Sequence, residues 1–404
     1  MKTAALVLMS GLFGFNASAA EILPSLAREV KTPGLAKLQI SGRPYSKVSS
    51  VYELQYEQVK VESAKGQRDT LILDLDESVV SFAIVIYTEK RNFGFVHELV
   101  NPLGEGVISP NPKGVSSDLL NRTDIAGRGQ LVSPNGMYFE AYQDLSVTPV
   151  PNSDRVKIMA GRWKFSIGVE AQTPAQSDSF RVSVFVKKSK KITSEMRGVV
   201  HAQVSATVES SVPTQLKDMA MYLDDSPELK SIGLHVVLTK VARLESSYNS
   251  MCDREDRPCS AQVTALRKSN SKRMPGVLKV FFAKRNNFAN SGIANLAGSV
   301  SSLFANENDM FDGVFVWTDP TLPTGFEDAR KTFVHELAHQ LGLYHTNVDQ
   351  ITDTKSSDHW TEGNQGEAPK NLMSGDGDTG STVSNAQKAI LLKAVAVELY
   401  EPTK

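Results

Sequence analysis

The sequence predicts two unlike parts: an all-β, sandwich-like first part and an α+β second part with a mixed sheet and a long helix. Three observations predict it. At 404 residues the chain exceeds one ordinary domain of about 100–200 residues. Short β-rich runs punctuated by turn residues fill 21–191, and from about residue 195 strand patterns mix with helical ones.

Composition narrows the partners. A chain that is 41% hydrophobic and 22% charged reads as globular rather than disordered or membrane-embedded. Lys plus Arg at 44 against Asp plus Glu at 45 leaves a net charge of -1, so no global field draws the protein to nucleic acid or anionic lipid. Neither a nucleic-acid partner nor stable membrane insertion is expected. Recognition must come from a site, and nothing in the sequence sets the oligomeric state.

Residues 1–20 are expected to be a signal peptide rather than part of the fold. Lys2 gives a positive start, the stretch from Ala4 to Phe15 is apolar but too short to span a bilayer, and Ala17-Ser18-Ala19 is a small-residue cleavage pattern. A buried N-terminal helix is the alternative. Export to a periplasm or to the outside is the implied localisation. In such an oxidising compartment Cys252 and Cys259 are expected to close a small disulfide loop, the alternative being two free thiols.

In the first part, Tyr52, Leu54 and Tyr56 alternate with polar neighbours, and the alternation breaks at Glu57-Gln58 before resuming through Val59 and Val61. Runs at 71–75, 79–87, 156–159, 163–169 and 180–186 are further strands, and Asn101-Pro102, Pro110-Asn111-Pro112 and Pro134-Asn135-Gly136 mark turns. The stretch 80–107 and the run Ala160-Gly161-Arg162-Trp163-Lys164-Phe165 resemble the β-sandwich accessory domains of many secreted peptidases. Lys187-Lys188-Ser189-Lys190-Lys191 closes this part as a solvated face or linker, with a processing site as the other reading. Residues 21–191 are thus a sandwich-like unit, either a removable prodomain or an accessory domain, and 192–404 form the second unit.

In the second unit, 233–244, 277–283 and 313–317 read as strands and 326–341 as a helix. Thr324 followed three residues later by Glu327 is a capping box for that helix, and Gly342 stops it. Within it His335 and His339 are four apart, one turn apart on one face, so they can grip one ion. Glu336 sits beside that ion rather than on it. Phe333, Val334, Leu337, Ala338 and Leu341 can pack the helix into a core. The turn at Gly342 brings His345 round as a third nitrogen, and three protein ligands with a position open to water form the catalytic zinc arrangement. By contrast His97-Glu98 has Asn101 where a second histidine would be needed, and His201 and His235 read as packing residues.

The complete run H-E-L-A-H-Q-L-G-L-Y-H at 335–345 resembles the signature of the metzincin zinc metallopeptidases, and 341–346 is most similar to the pappalysin and cytophagalysin branch. Asn347 departs from the aromatic usual there. The resemblance covers roughly residue 233 to the end. It implies a mixed sheet, an active-site helix, a methionine turn at Met373 and a C-terminal helix, which Ser384 and Gln387 cap and which runs through Ile390, Leu391, Ala394, Val395 and Leu399. It also implies one catalytic Zn2+ on His335, His339 and His345, with Glu336 as the general base that takes a proton from the zinc-activated water. A peptide or protein substrate would lie along an edge strand near Gly292, Ile293 and Ala294. His359 could line the specificity pocket or belong to a surface loop. Asp376-Gly377-Asp378 is compatible with Ca2+, although such an acidic glycine turn is more often only a turn. A reading from another class is a zinc-containing binding or adhesion protein whose β-rich part does the work. Intact Glu336 argues against that, because a vestigial site has no need of the base.

Overall fold

Alternating apolar and polar residues in the first part pair into two sheets, as a computed structural model of the chain shows. It describes residues 21–31, 35, 37–40, 42–62, 67–87, 93–108, 129–132, 138–141, 145–151, 156–170, 177–245, 276–284, 291–293, 313–318, 325–343, 371–373 and 380–403. One sheet runs, neighbour to neighbour, Glu21–Ile22, Thr70–Leu75, Gly161–Glu170, Phe93–Val100 and Gly106–Ile108. The other runs Gly129–Val132, Tyr138–Ala141, Leu145–Val150, Val79–Tyr87, Ser177–Ser189, Ser49–Glu62 and Leu26–Glu29, with Gln67–Arg68 also on Ser49–Glu62. Side chains from both sheets share one core, where Phe82 meets Trp163 edge to face at 5.4 Å and Tyr56 meets Phe165 at 5.7 Å.

The break read at Glu57-Gln58 is a β-bulge. Phe180 pairs with Val59 and Val182 with Tyr56, so the Ser49–Glu62 strand carries one extra residue there, and Gln58 takes φ 54. The extra residue is what lets Tyr56 and Val59, three apart, both face the core. The 156–159 run, expected as a strand, forms none. Val156 still packs into the core, while the Met159 carbonyl accepts from Trp163 Nε1 at 3.0 Å, so apolar burial is met without a ladder.

The second part is organised around the Arg197–Ala206 strand, which pairs in parallel with Leu234–Arg243 on one side and Val277–Lys284 on the other. Val314–Thr318 follows in parallel, and Ser291–Ile293 closes that edge antiparallel. Helices Leu216–Asp224 and Pro227–Ile232 lie between the first two strands in the chain, the second capped by Ser226 and ended at Gly233 with φ 79. The described residues are mostly β-sheet with few helices.

Two expectations need correcting. The last helix does not reach Leu399: it spans Asn385–Lys393 from a complete Ser384/Gln387 capping box, and Glu398–Pro402 is a strand. Backbone pairing decides this, because Glu398–Pro402 lies antiparallel to Arg197–Val199 on one side and to Arg43–Lys47 on the other. Lys37–Ile40 then pairs with Arg43–Lys47, so the sheet takes strands from both ends of the chain. Nor is 187–191 a solvated face throughout. Lys187 and Lys188 lie within Ser177–Ser189, between two partner strands, and Lys187 is wholly buried. Its Nζ donates to the Leu392 carbonyl at 2.7 Å and the Ala394 carbonyl at 2.9 Å, capping the last helix from the first part's sheet. Val395 packs with Ala83, Val85, Val147 and Phe185 at the same junction. Among the described residues no helix is long and apolar enough to cross a membrane.

Candidate metal centre

The site is built on the helix Gly325–Gln340. Its apolar face, Phe333, Val334, Leu337 and Ala338, is buried with Leu341 in the core of the second part, which leaves the His335 and His339 face to converge on the site. Thr324, the expected N-cap, lies outside the described residues. At the other end Gly342 takes φ 108, and the Gly342 and Leu343 amides donate to the His339 and Ala338 carbonyls, both at 2.9 Å. That left-handed turn brings the Leu343 carbonyl back to His339.

Both histidines are held from behind. His335 Nδ1 lies 2.5 Å from the Leu372 carbonyl and His339 Nδ1 lies 2.8 Å from the Leu343 carbonyl. A carbonyl can only accept, so each Nδ1 carries a hydrogen, and in the neutral ring each Nε2 then presents a lone pair. The two Nε2 atoms are 3.1 Å apart in rings inclined at 90°. Two facing lone pairs at that distance suit a shared cation. Tetrahedral zinc with bonds of about 2.0–2.1 Å needs ligand nitrogens about 3.3 Å apart, so the donor set fits. Burial pushes the His335 pKa down, with the Leu372 hydrogen bond acting the other way, which favours the neutral imidazole a metal requires.

Glu336 is buried on the same helical turn. Gln340, one turn further along that side, is fully buried, and its amide finds no hydrogen-bond partner among the described residues. Met373 is wholly buried, directly after the Leu372 that holds His335. The structure thus brings His335, Glu336, His339 and the Met373 turn together. Among the described residues no group of three or more His, Cys, Asp or Glu side chains stands ready for a metal, and the expected third ligand His345 lies outside them. His359, Ala294, Cys252, Cys259, Asp376 and Asp378 also lie outside. Gly292 and Ile293 fall in the antiparallel edge strand beside Val314–Thr318.

Sequence reasoning missed two features. Asn371 and Gln387 form a buried amide pair beneath the Met373 turn; Gln387 was legible only as a helix cap, and an Asn two residues before a turn Met was the available signal. His201 does more than pack. Its Nε2 lies 3.2 Å from Glu398 Oε2, which also accepts from Tyr400, while Lys47 pairs with the other oxygen.

Residues 184–346 match a family model. It is described as metallo-peptidase family M12B, reprolysin-like, and the matched stretch includes His335, Glu336, His339 and His345. The reprolysin-like match supports a zinc metallopeptidase-type function and an α+β fold for this part of the chain. Peptidases of that family are generally zinc-dependent. No curated protein matches the chain. Several solved structures resemble it at low scores. A glycosylation-associated protein complex from Streptococcus agalactiae is 11% identical, over 64% of this chain and 71% of that one, with TM-score 0.15. An active-site mutant of a family two carbohydrate esterase from Clostridium thermocellum is 8% identical over 92% and 97%, TM-score 0.15. A family two carbohydrate esterase from Cellvibrio japonicus is 8% identical over 81% and 98%, TM-score 0.17. At these scores the likenesses carry no argument beside the reprolysin-like match.

Proposed function

We propose that the chain is an exported zinc endopeptidase with metzincin architecture. The observation that carries the reading is the pair of Nε2 lone pairs of His335 and His339, 3.1 Å apart, with both Nδ1 atoms committed to carbonyls and Glu336 between them in the chain. His345 completes the ligand set by its place in the motif. The pappalysin and cytophagalysin branch rests on 341–346 alone.

When bound, zinc supplies a lowered water pKa and a Lewis acid for the scissile carbonyl. The protein's own part is to place and move a proton. The Glu336 carboxylate, held on a rigid helical turn and shielded from solvent, accepts the proton from the attacking water and returns it to the leaving amine. The fixed tautomers of His335 and His339 keep both Nε2 atoms as donors of electron pairs throughout.

Substrate is proposed to add as a further strand to the edge formed by Ser291–Ile293, where main-chain bonds serve any sequence. Ala294→Pro removes a main-chain donor from the residue that follows this strand in the sequence, so it should raise KM for peptides at normal zinc content; unchanged kinetics would count against the placement. The overall reading is tested by casein cleavage with and without a chelator. Glu336→Ala should lose about 100- to 10,000-fold in rate while retaining one zinc. One equivalent of zinc with no chelator-sensitive cleavage would sink it. Residues 21–191 are proposed to stay on the enzyme as an accessory part, supported by the buried Lys187 and the strand pairing of Arg43–Lys47.

A further inference from the structure

Behind His335 runs a chain of hydrogen bonds that ends in the last helix. The Leu372 carbonyl that receives His335 Nδ1 belongs to a short turn pinned at several points. The Leu372 amide donates to the Thr382 carbonyl at 2.8 Å, and the Gly380 amide to the Asn371 carbonyl at 3.0 Å. The Met373 amide donates to Asn371 Oδ1 at 2.9 Å. The Asn371 side chain is in turn fixed by Gln387 through two reciprocal amide bonds, Nδ2 to Oε1 and Nε2 to Oδ1, both 3.1 Å. Gln387 Oε1 also accepts from the Ser384 amide at 2.9 Å, and the Gln387 amide donates to Ser384 Oγ at 3.1 Å.

Each amide oxygen in this pair therefore accepts two hydrogens. That fixes which end of each side chain is oxygen, because reversing Asn371 would set its NH2 against the Met373 N–H. Asn371 and Gln387 are 1% and 0% exposed, so no water can substitute for a lost partner without opening the core.

Resting on the zinc reading above, we infer that the Asn371–Gln387 pair is a positioning clasp for the metal site. It sets the Leu372 carbonyl, and the carbonyl sets the tautomer and ring plane of His335. Outer partners of this kind govern metal affinity because they orient the ligand and tune its basicity. His339 is independent of the clasp, since its Nδ1 is held by Leu343 at the end of its own helix. The clasp thus controls one ligand of the site and spares its neighbour.

The test measures zinc affinity, by competition with a chromophoric chelator, and the visible spectrum of the cobalt-substituted protein. Gln387→Met keeps the volume and removes both amide bonds, and should weaken zinc binding about 10- to 100-fold and alter the cobalt bands. Gln387→Glu keeps the acceptor for Asn371 and Ser384 but loses the donor to Asn371 Oδ1, and should weaken it about 10-fold; it carries the test alone should the Met variant not fold. Ser226→Ala, at the cap of Pro227–Ile232 and outside the hydrogen-bonded chain behind His335, should lower thermal stability and leave zinc affinity within about twofold. Wild-type zinc affinity and cobalt spectrum in a folded Gln387 variant overturn the inference and leave the peptidase reading standing. A wild-type protein that takes up no zinc overturns both.

Discussion

The two parts of the molecule are held together internally by different means. The first part rests on apolar periodicity: two sheets turn Tyr56, Phe82, Trp163 and Phe165 into one core, and its one register break is absorbed by a bulge. The second part has an apolar core as well, but its site rests on buried polar groups whose partners lie far away in sequence. His335 depends on Leu372, Leu372 on Asn371, and Asn371 on Gln387. A periodic core tolerates volume-conserving change, whereas a buried polar network loses a partner with every substitution. The proposed function rests on the more brittle of the two.

Their junction is the most direct place to disturb this contrast. Lys187 carries a polar clamp out of the β-rich part, and its Nζ donates to the two carbonyls that end the last helix of the other part. Burial pushes its pKa well down, with Glu398 opposing. Lys187→Ala leaves both carbonyls buried without this donor and should cost roughly 2–4 kcal/mol in urea unfolding, part of the loss offset by no longer burying an amine. After proteolysis within the exposed connector at 190–195, the wild-type fragments should co-elute on gel filtration and those of Lys187→Ala should separate. Fragments of the wild type that part on cutting would instead favour a releasable prodomain.

Legibility in the sequence follows the same division. The bulge could be read at Glu57-Gln58 because a one-residue slip is visible wherever one face is buried. The helix that carries His335 and His339 was readable because the geometry is local, His335 to His339 to Gly342. The strand at Glu398–Pro402 was not: Ile390, Leu391, Ala394, Val395 and Leu399 keep helical spacing, and pairing with Arg197–Val199 and Arg43–Lys47, both far away in sequence, turns the end of the chain into sheet. The Lys187 clamp was hidden for a related reason. A basic run reads as solvated unless the carbonyls that will receive it are known.

A smaller and subtler difference lies in how each part meets acid. His97, on the Phe93–Val100 strand, is pushed down to about 4, by burial first and then by the charge of Arg68. His235, on Leu234–Arg243, is also lowered by burial, but Asp224 pulls it back up. A histidine whose folded pKa lies below its unfolded value of about 6.5 binds fewer protons folded than unfolded, so its contribution is present above about pH 6.5 and is lost as pH falls towards 4. His97 should therefore contribute more acid lability than His235. His97→Gln removes the titrating group while keeping a polar side chain of similar reach. Urea midpoints taken between pH 7 and pH 4.5 should fall more gently for His97→Gln than for the wild type, and an equivalent His235→Gln should change the slope less. Parallel curves for His97→Gln and wild type would mean that the ring is solvated enough to titrate normally, and the acid sensitivity would then have to come from other groups.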